Sequence, residues 1–465
     1  MRTLAVLLCL QLAIPIPTLE AQSDEAADSM ASVVVRSGVG ARVDSLLRRY
    51  AEYGFAGAVL VARKGELLLV NGYGLADRRD GKPNTPATLY DFASITKTLT
   101  GAAALALEGM GKLSISDPVT RYVGPVAPKK ESATLLHLAQ HTSGFVVRGT
   151  DVGDASRLGF MDKMRRAAAE AVAGREYRYT NAGSSLLAAI VEEVAGMPYE
   201  DFVRERLLLP AGIHGGFRWE SDWNARRARG YDGRPGEPVA EAVEFPTEWG
   251  SRGAGGWIGT VGDVYRWHRA LFGNDLLPAA QRAQLLDSTV IESFGWHYEP
   301  RGRQGKAVVH KGGDTPGFQS QLTHFPDEDV TIVWANNDTR HRWRTLLNEG
   351  IARLVLGDGE VELPPAVVAS TPTALAELAG RYADARGNRY ELRAADDYLH
   401  VASGDSVPLW ARYHPAANGA FVALPARGLE PLSLTFSPGD AGEATAVTWS
   451  DGRVVRTWRR VRARE

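Results

Sequence analysis

The twelve residues YDFASITKTLTG, positions 90–101, decide how the chain is read. They set Ser94 and Lys97 three positions apart at the start of an alanine-rich apolar segment, ITKTLTGAAALALEGM. Side chains three apart on a helix lie on one face, so Lys97 reaches Ser94 without help from the rest of the fold. A serine hydroxyl is a weak nucleophile near neutral pH and needs an adjacent base. Lysine becomes that base when burial disfavours its ammonium and lowers its pKa from the free value of about 10.4. A serine in the first turn also has an unpaired backbone N–H, which can donate to a developing oxyanion. The stretch alone leaves a second reading open, in which Ser94 caps the helix and Lys97 snorkels to solvent.

Four further stretches extend the pattern. They are LLHLAQHTSGF (135–145), REYRYTNAGSSLLAAIVEEVAG (175–196), GAGGWIGTVGDVYRW (253–267) and VVHKGGDTPGF (308–318). In this order and spacing, together with FASITK, they resemble the serine β-lactamase and penicillin-binding protein superfamily. The resemblance is to its class C-like branch, which also holds D-aminopeptidases, D-alanyl-D-alanine carboxypeptidases and esterases, and it covers roughly residues 38–358.

The resemblance implies that Ser94 is the acylated nucleophile, Lys97 its proton-transfer partner and Tyr179 the phenol that shares or relays the proton. It implies that Asn181 holds the substrate's acyl-side carbonyl and bonds the lysine, and that the N–H groups of Ser94 and Gly313 form the oxyanion hole. On the strand of the third motif side chains alternate. We therefore expect His310 to face the cleft, Lys311 to face away, and Gly312 to leave room for a substrate backbone. Where related enzymes have S-D-N and K-T-G, this chain has Y-T-N and H-K-G. Neutral histidine grips an anion poorly near pH 7, so the expected substrates are those without a carboxylate. The implied activity is hydrolysis of ester, amide or peptide substrates through a Ser94 acyl-enzyme, with no metal or organic cofactor. A β-lactamase is the alternative, and a cleft-based binding or sensor protein the non-enzymatic one.

The chain has 465 residues, enough for two or three domains, and a formal net charge of -2 at neutral pH gives no reason to expect a nucleic-acid partner. The clustered arginines of RVVRTWRRVRARE read as a solvated strand face and tail. Residues 1–21, with Arg2 before an apolar run, read as a secretory signal too short and proline-broken to span a membrane. The expected product is therefore exported, periplasmic or secreted, with no stable membrane span after cleavage. Cys9, the single cysteine, falls inside that segment, so the mature chain is expected to have no disulfide or thiol chemistry. The partners expected are small-molecule or peptide substrates.

His137 and His141 have the spacing of zinc ligands, but Leu138 stands where H-E-x-x-H has its glutamate, and the reading is a structural turn. G-x-S-x-G is absent, as are Walker and Rossmann glycine patterns in a strand-to-helix setting. The glycines at 253–262 read as close packing beside the cleft.

For the fold, AGAVLVARKGELLLVNGYGLAD reads as two strands with a tight turn at Lys64-Gly65. Residues 111–250 read as mostly helical, and strands return in KAVVHKGGDTPGFQSQLTHFPDEDVTIVWANND. The expectation is an α/β (α+β) catalytic domain over 38–358, an antiparallel sheet flanked by helices with a helical lobe, preceded by a polar leader at 22–37. A linker at 359–371 then leads to a small all-β barrel or lipocalin-like domain at 372–465.

Overall fold

A computed structural model describes residues 30–461, except 146–155, 169–170, 218–222, 234–239, 243–247, 274–275, 303–304, 358–359, 396, 404–410, 426–429 and 439–443. The expected signal segment and half of the polar leader lie outside the described residues. Strand β1 (Val34–Val35) leads into helix α1 (Val39–Glu52), whose buried residues Val43, Leu46, Leu47 and Tyr50 follow the i, i+3, i+4, i+7 rule. Strands β2 (Gly57–Arg63) and β3 (Glu66–Tyr73) form the expected hairpin. Its two turn residues both lie at positive φ, Lys64 at 51° and Gly65 at 78°, the twist that a two-residue hairpin requires.

The chain then leaves the sheet for helix α2 (Thr96–Gly109), helix α3 (Asn181–Ala195) and helix α4 (Val261–Phe272). It returns through β4 (His297–Glu299), β5 (Val308–Thr315), β6 (Phe318–Phe325) and β7 (Val330–Asn336), and closes with helix α5 (Arg344–Leu356). The sheet is antiparallel throughout, in the order β1-β3-β2-β7-β6-β5-β4. Strands far apart in sequence thus lie side by side: Ile332 of β7 pairs with Val61 of β2.

Both faces of the sheet are covered, and the alternation of β2 and β7 shows how. Val59, Val61, Ile332 and Trp334 pack against α1 and α5, whereas Ala58, Leu60, Val333 and Ala335 join the cluster that holds α2 and α4. Helix α2 is buried on all sides because its middle is made of small residues, Gly101 to Ala104, which let neighbouring elements approach. The stretch 111–250 is less helical than expected. Apart from α3, its described helices are short, such as Leu135–Ala139 and Arg157–Arg166, and irregular chain between them frames the lobe.

Beyond helix α6 (Pro372–Leu378) the strands β8 (Gly380–Ala383), β9 (Arg389–Ala395), β10 (Tyr398–Ser403), β11 (Arg412–Pro415), β12 (Phe421–Ala423), β13 (Leu432–Pro438), β14 (Ala444–Ser450) and β15 (Val455–Arg460) close into a barrel. Closure pairs β8 with β15 and removes the free edge that a small open sheet would carry. Tyr382, Tyr390, Leu399, Tyr413 and Trp458 fill the interior, with Tyr390 stacked on Trp458 at 4.1 Å. Residues of opposite parity, His400, Arg412 and His414, are nevertheless buried as well. The reason is the unit built on the seven-stranded sheet: Tyr53 meets the His414 ring edge-on at 5.5 Å, the Tyr53 hydroxyl donates to Pro365 O at 2.8 Å, and His341 Nε2 lies 3.1 Å from Leu424 O.

This interface predicts acid lability. Burial pushes His341 and His414 down to about 4. A folded-state pKa below the unfolded value means that the unfolded chain takes up protons first, near 6.5, while these rings stay neutral until pH approaches 4. Stability is therefore lost as pH falls through that window, by roughly 2 kcal/mol for each ring at pH 5. Thermal melts between pH 7 and 5 should show a falling Tm, and His341→Phe should flatten the slope; a pH-independent Tm would contradict this account.

Candidate active site

Ser94 sits in a tight turn, Ala93–Ile95, immediately before α2. Ala93 holds a left-handed conformation, φ 47°, which disfavours any residue with a Cβ and stores on the order of 1–3 kcal/mol of strain. Its neighbours hold it there. The Ala93 N–H donates to Asp91 Oδ1 at 2.7 Å and the Phe92 N–H donates to Trp257 O at 2.8 Å. Asp91 is buried, and burial raises its carboxyl to about 6. The glycine-rich stretch is wedged between α2 and α3: a Cβ on Gly253 would sit 2.4 Å from Ala188 Cβ of α3 and 3.1 Å from Thr100 Oγ1 of α2, so only glycine allows the approach.

Lys97 is buried, 3% exposed, with its Nζ 3.1 Å from Ser94 Oγ, 2.8 Å from Asn181 Oδ1 and 2.7 Å from Ala254 O. Burial, aided by repulsion from Lys311, drives its pKa well below the usual lysine value. A neutral amine has two N–H donors and a lone pair. The carbonyl oxygens of Asn181 and Ala254 take the donors, which leaves the lone pair for the Ser94 hydroxyl. Tyr179 approaches the same oxygen from the loop before α3 and donates to Ser94 Oγ at 2.8 Å. The residue is part-exposed to the cleft, and burial raises the phenol above the usual range. Burial therefore favours the protonated phenol and the neutral amine.

Strand β5 differs from expectation in phase. Lys311 does not turn away: its side chain is buried, its Nζ lies 5.4 Å from the Tyr179 ring centroid, and it pairs with the Glu292 carboxylate. Alternation holds, but Lys311 and Gly313 share the side that faces the nucleophile turn, where a Cβ on Gly313 would sit 2.2 Å from Phe92 O. His310 lines the mouth of the cavity, stacked on His297 at 4.9 Å, with Nε2 3.1 Å from Glu299 Oε1. Gly312 does not leave a gap for a substrate backbone. Arg344 Nη1 lies 1.9 Å from the position a Cβ would take there, and the guanidinium bonds Gln321 Oε1 at 2.6 Å and Asp314 Oδ2 at 2.5 Å.

The cavity so formed has a volume of about 370 Å³ and brings Ser94, Tyr179, Asn181, His310, Lys311 and Arg344 together. Sequence reasoning missed Arg344, Gln321, His297 and Glu292. Glycine following Lys311 on a strand was a signal for Arg344, since a missing side chain there often marks a close approach. The two histidines of HLAQH serve structure: His137 and Thr134 cap the Leu135–Ala139 turn reciprocally, and His141 Nε2 lies 3.2 Å from Glu292 Oε1. Among the described residues no group of His, Cys, Asp and Glu side chains is arranged to hold a metal ion, and no helix is long and apolar enough to cross a membrane.

The family model described as Beta-lactamase matches residues 43–356, which takes in the whole constellation. The chain belongs to the beta-lactamase family. It is 26% identical over 313 residues to penicillin-binding protein 4* of Bacillus subtilis (strain 168), covering 61% of this chain and 68% of that protein. Against esterase EstB of Burkholderia gladioli it is 29% identical over 328 residues, 60% of this chain and 82% of the esterase. Among solved structures, the octameric penicillin-binding protein homologue from Pyrococcus abyssi superposes with a TM-score of 0.63 at 20% identity, covering 90% of this chain and 99% of that one. Similarity at that level establishes the fold. With the family placement, the chain is a serine hydrolase.

Proposed function

We propose that this beta-lactamase-family member is an exported hydrolase that acts on ester, amide or peptide substrates through a Ser94 acyl-enzyme. The observation that supports it best is the double engagement of one oxygen: Ser94 Oγ has Lys97 Nζ at 3.1 Å and Tyr179 OH at 2.8 Å. In this reading Lys97 accepts the serine proton as Oγ attacks the acyl carbonyl. The N–H groups of Ser94 and Gly313 stabilise the oxyanion, at on the order of 3 kcal/mol per donor, and Tyr179 passes a proton to the leaving group. Asn181 fixes Lys97 and the acyl-side carbonyl. Water then cleaves the ester along the reverse proton path, and every transfer runs between side chains of the chain itself. Incubation with a fluorophosphonate followed by peptide mass analysis should place the adduct on Ser94; a protein that stays unlabelled would sink the proposal.

The substrate preference needs revision. A preference for substrates without a carboxylate rested on Lys311 facing away and on His310 alone at the grip, and neither premise survives the geometry of β5. Arg344 offers a guanidinium to the cavity beside Gly312, and its present partner Asp314 is 62% exposed, so a substrate carboxylate can compete for it. A charge-assisted bond contributes roughly 1.5–3 kcal/mol, or about one to two powers of ten in affinity. Arg344→Gln should therefore raise KM for a carboxylate-bearing β-lactam or ester by that factor and leave neutral p-nitrophenyl esters nearly unchanged. Equal loss on both substrate types would remove Arg344 from recognition.

A further inference from the structure

Glu292 belongs to none of the motifs, yet it is the most enclosed charge near the site, with no exposed surface. Four groups converge on its carboxylate. Lys311 Nζ pairs with Oε1, His141 Nε2 lies 3.2 Å from Oε1, His297 Nε2 lies 3.2 Å from Oε2, and Tyr177 OH donates to Oε2 at 3.4 Å. Lys311 in turn lies over the ring of Tyr179, which carries the hydroxyl bonded to Ser94. Lys97 lies over the same ring with its Nζ 4.9 Å from the centroid. Two amines thus share one aromatic ring, and only Lys311 is bonded to a carboxylate. A buried ammonium without a partner is strongly unfavourable, whereas a buried pair holding further hydrogen bonds can persist.

We propose that Glu292 is a positioning residue which fixes the cleft's buried cation at Lys311, against Tyr179. The proposal rests on the reading of Ser94, Lys97 and Tyr179 as the reacting groups. His141, His297 and Tyr177 hold the carboxylate in place beside Lys311. The charged and titratable groups around the pair are Lys97, Tyr179, Arg344 and Asp314 beyond those already named.

The sign follows from the pair. Burial lowers the Lys311 pKa and Glu292 raises it, so a neutral side chain at 292 lets Lys311 lose its proton at lower pH. For Lys97 two changes oppose each other, because the attraction of Glu292 and the repulsion of Lys311 disappear together. The basic limb of a pH–rate profile should move and the acid limb should stay.

The experiment is a pH profile of kcat/KM on a neutral p-nitrophenyl ester for wild type, Glu292→Gln, Lys311→Met and the double variant. Gln keeps the shape and one acceptor oxygen, removes the charge and turns the other oxygen into an amide donor. The expected result is a loss of roughly tenfold or more in Glu292→Gln with the basic limb displaced to lower pH, and a double variant no slower than Lys311→Met alone. An unmoved basic limb, or losses that simply multiply, would overturn the proposal. Should Glu292→Gln fail to fold by circular dichroism, the double variant, which leaves no unpaired ammonium, carries the test: equality with Lys311→Met supports the proposal and a further drop refutes it. Fluorophosphonate labelling of wild type separates the two levels, since an unlabelled Ser94 defeats the acyl-enzyme reading, whereas labelling with an unmoved profile defeats only the role of Glu292.

Discussion

Ser94→Ala should abolish turnover, with kcat falling on the order of 10⁴- to 10⁶-fold, while substrate still binds. Position is the reason. Ser94 Oγ is the oxygen that both Lys97 and Tyr179 reach, and the turn that presents it is fixed by main-chain bonds from Ala93 and Phe92, which do not involve the hydroxyl. Removing one atom therefore leaves the cavity, Lys311 and Arg344 in place. Fold and binding should persist, as judged by melting temperature and by equilibrium dialysis with a slowly turned-over substrate, and covalent labelling should vanish. Turnover close to that of wild type would show that another group is the nucleophile.

Lys97→Met should lower kcat/KM by about 10²- to 10⁴-fold, the range of a well-placed general base. Its diagnostic is the pH profile. In the wild-type enzyme activity rises with pH as Lys97 loses its proton, and burial with Lys311 repulsion places that rise below the ordinary lysine range. In Lys97→Met no such group remains, so the acid limb should disappear along with the rate. The variant should fold, because Met fills the stem of the buried lysine and the acceptors it abandons, Asn181 Oδ1 and Ala254 O, can take water. A variant that keeps the wild-type acid limb would transfer the base role to another residue.

Much of this site could be read from the sequence because its central parts are local. Ser94 and Lys97 are one helical turn apart, whereas Tyr179 and Asn181 were reached through the family resemblance of their motif. Local geometry fixes the first pair whatever the distant chain does. The hairpin at Lys64-Gly65 was legible for the same reason. Strand β5 was harder. Its alternation could be predicted but not its phase, because register decides which side faces the cleft, and a slip of one residue exchanges the two sets. That register is set by Ser320 and Leu322 across the strand and by the nucleophile turn beneath it. Glu292 and Arg344 were out of reach on different grounds. Each belongs to a segment with its own local logic, ESFGWHY and a helix N-terminus, and only the sheet order brings them within bonding distance of β5 and its neighbour β6.

The run from Asn337 to Arg344 has a practical meaning for anyone who would trim or graft this protein. Asp338 anchors Arg78 and Arg340, His341 reaches across to the barrel at Leu424, Trp343 packs beneath α1, and the next residue is the guanidinium that lines the cleft. This short strip therefore serves as fastener on one side and tool on the other. Cutting the chain at the linker would free a catalytic unit on paper, but it would unclasp the fastener and let the tool drift. An engineer who wants a smaller enzyme has to redesign that strip first, with new replacements for the faces of Tyr53 and His341 that the barrel now covers.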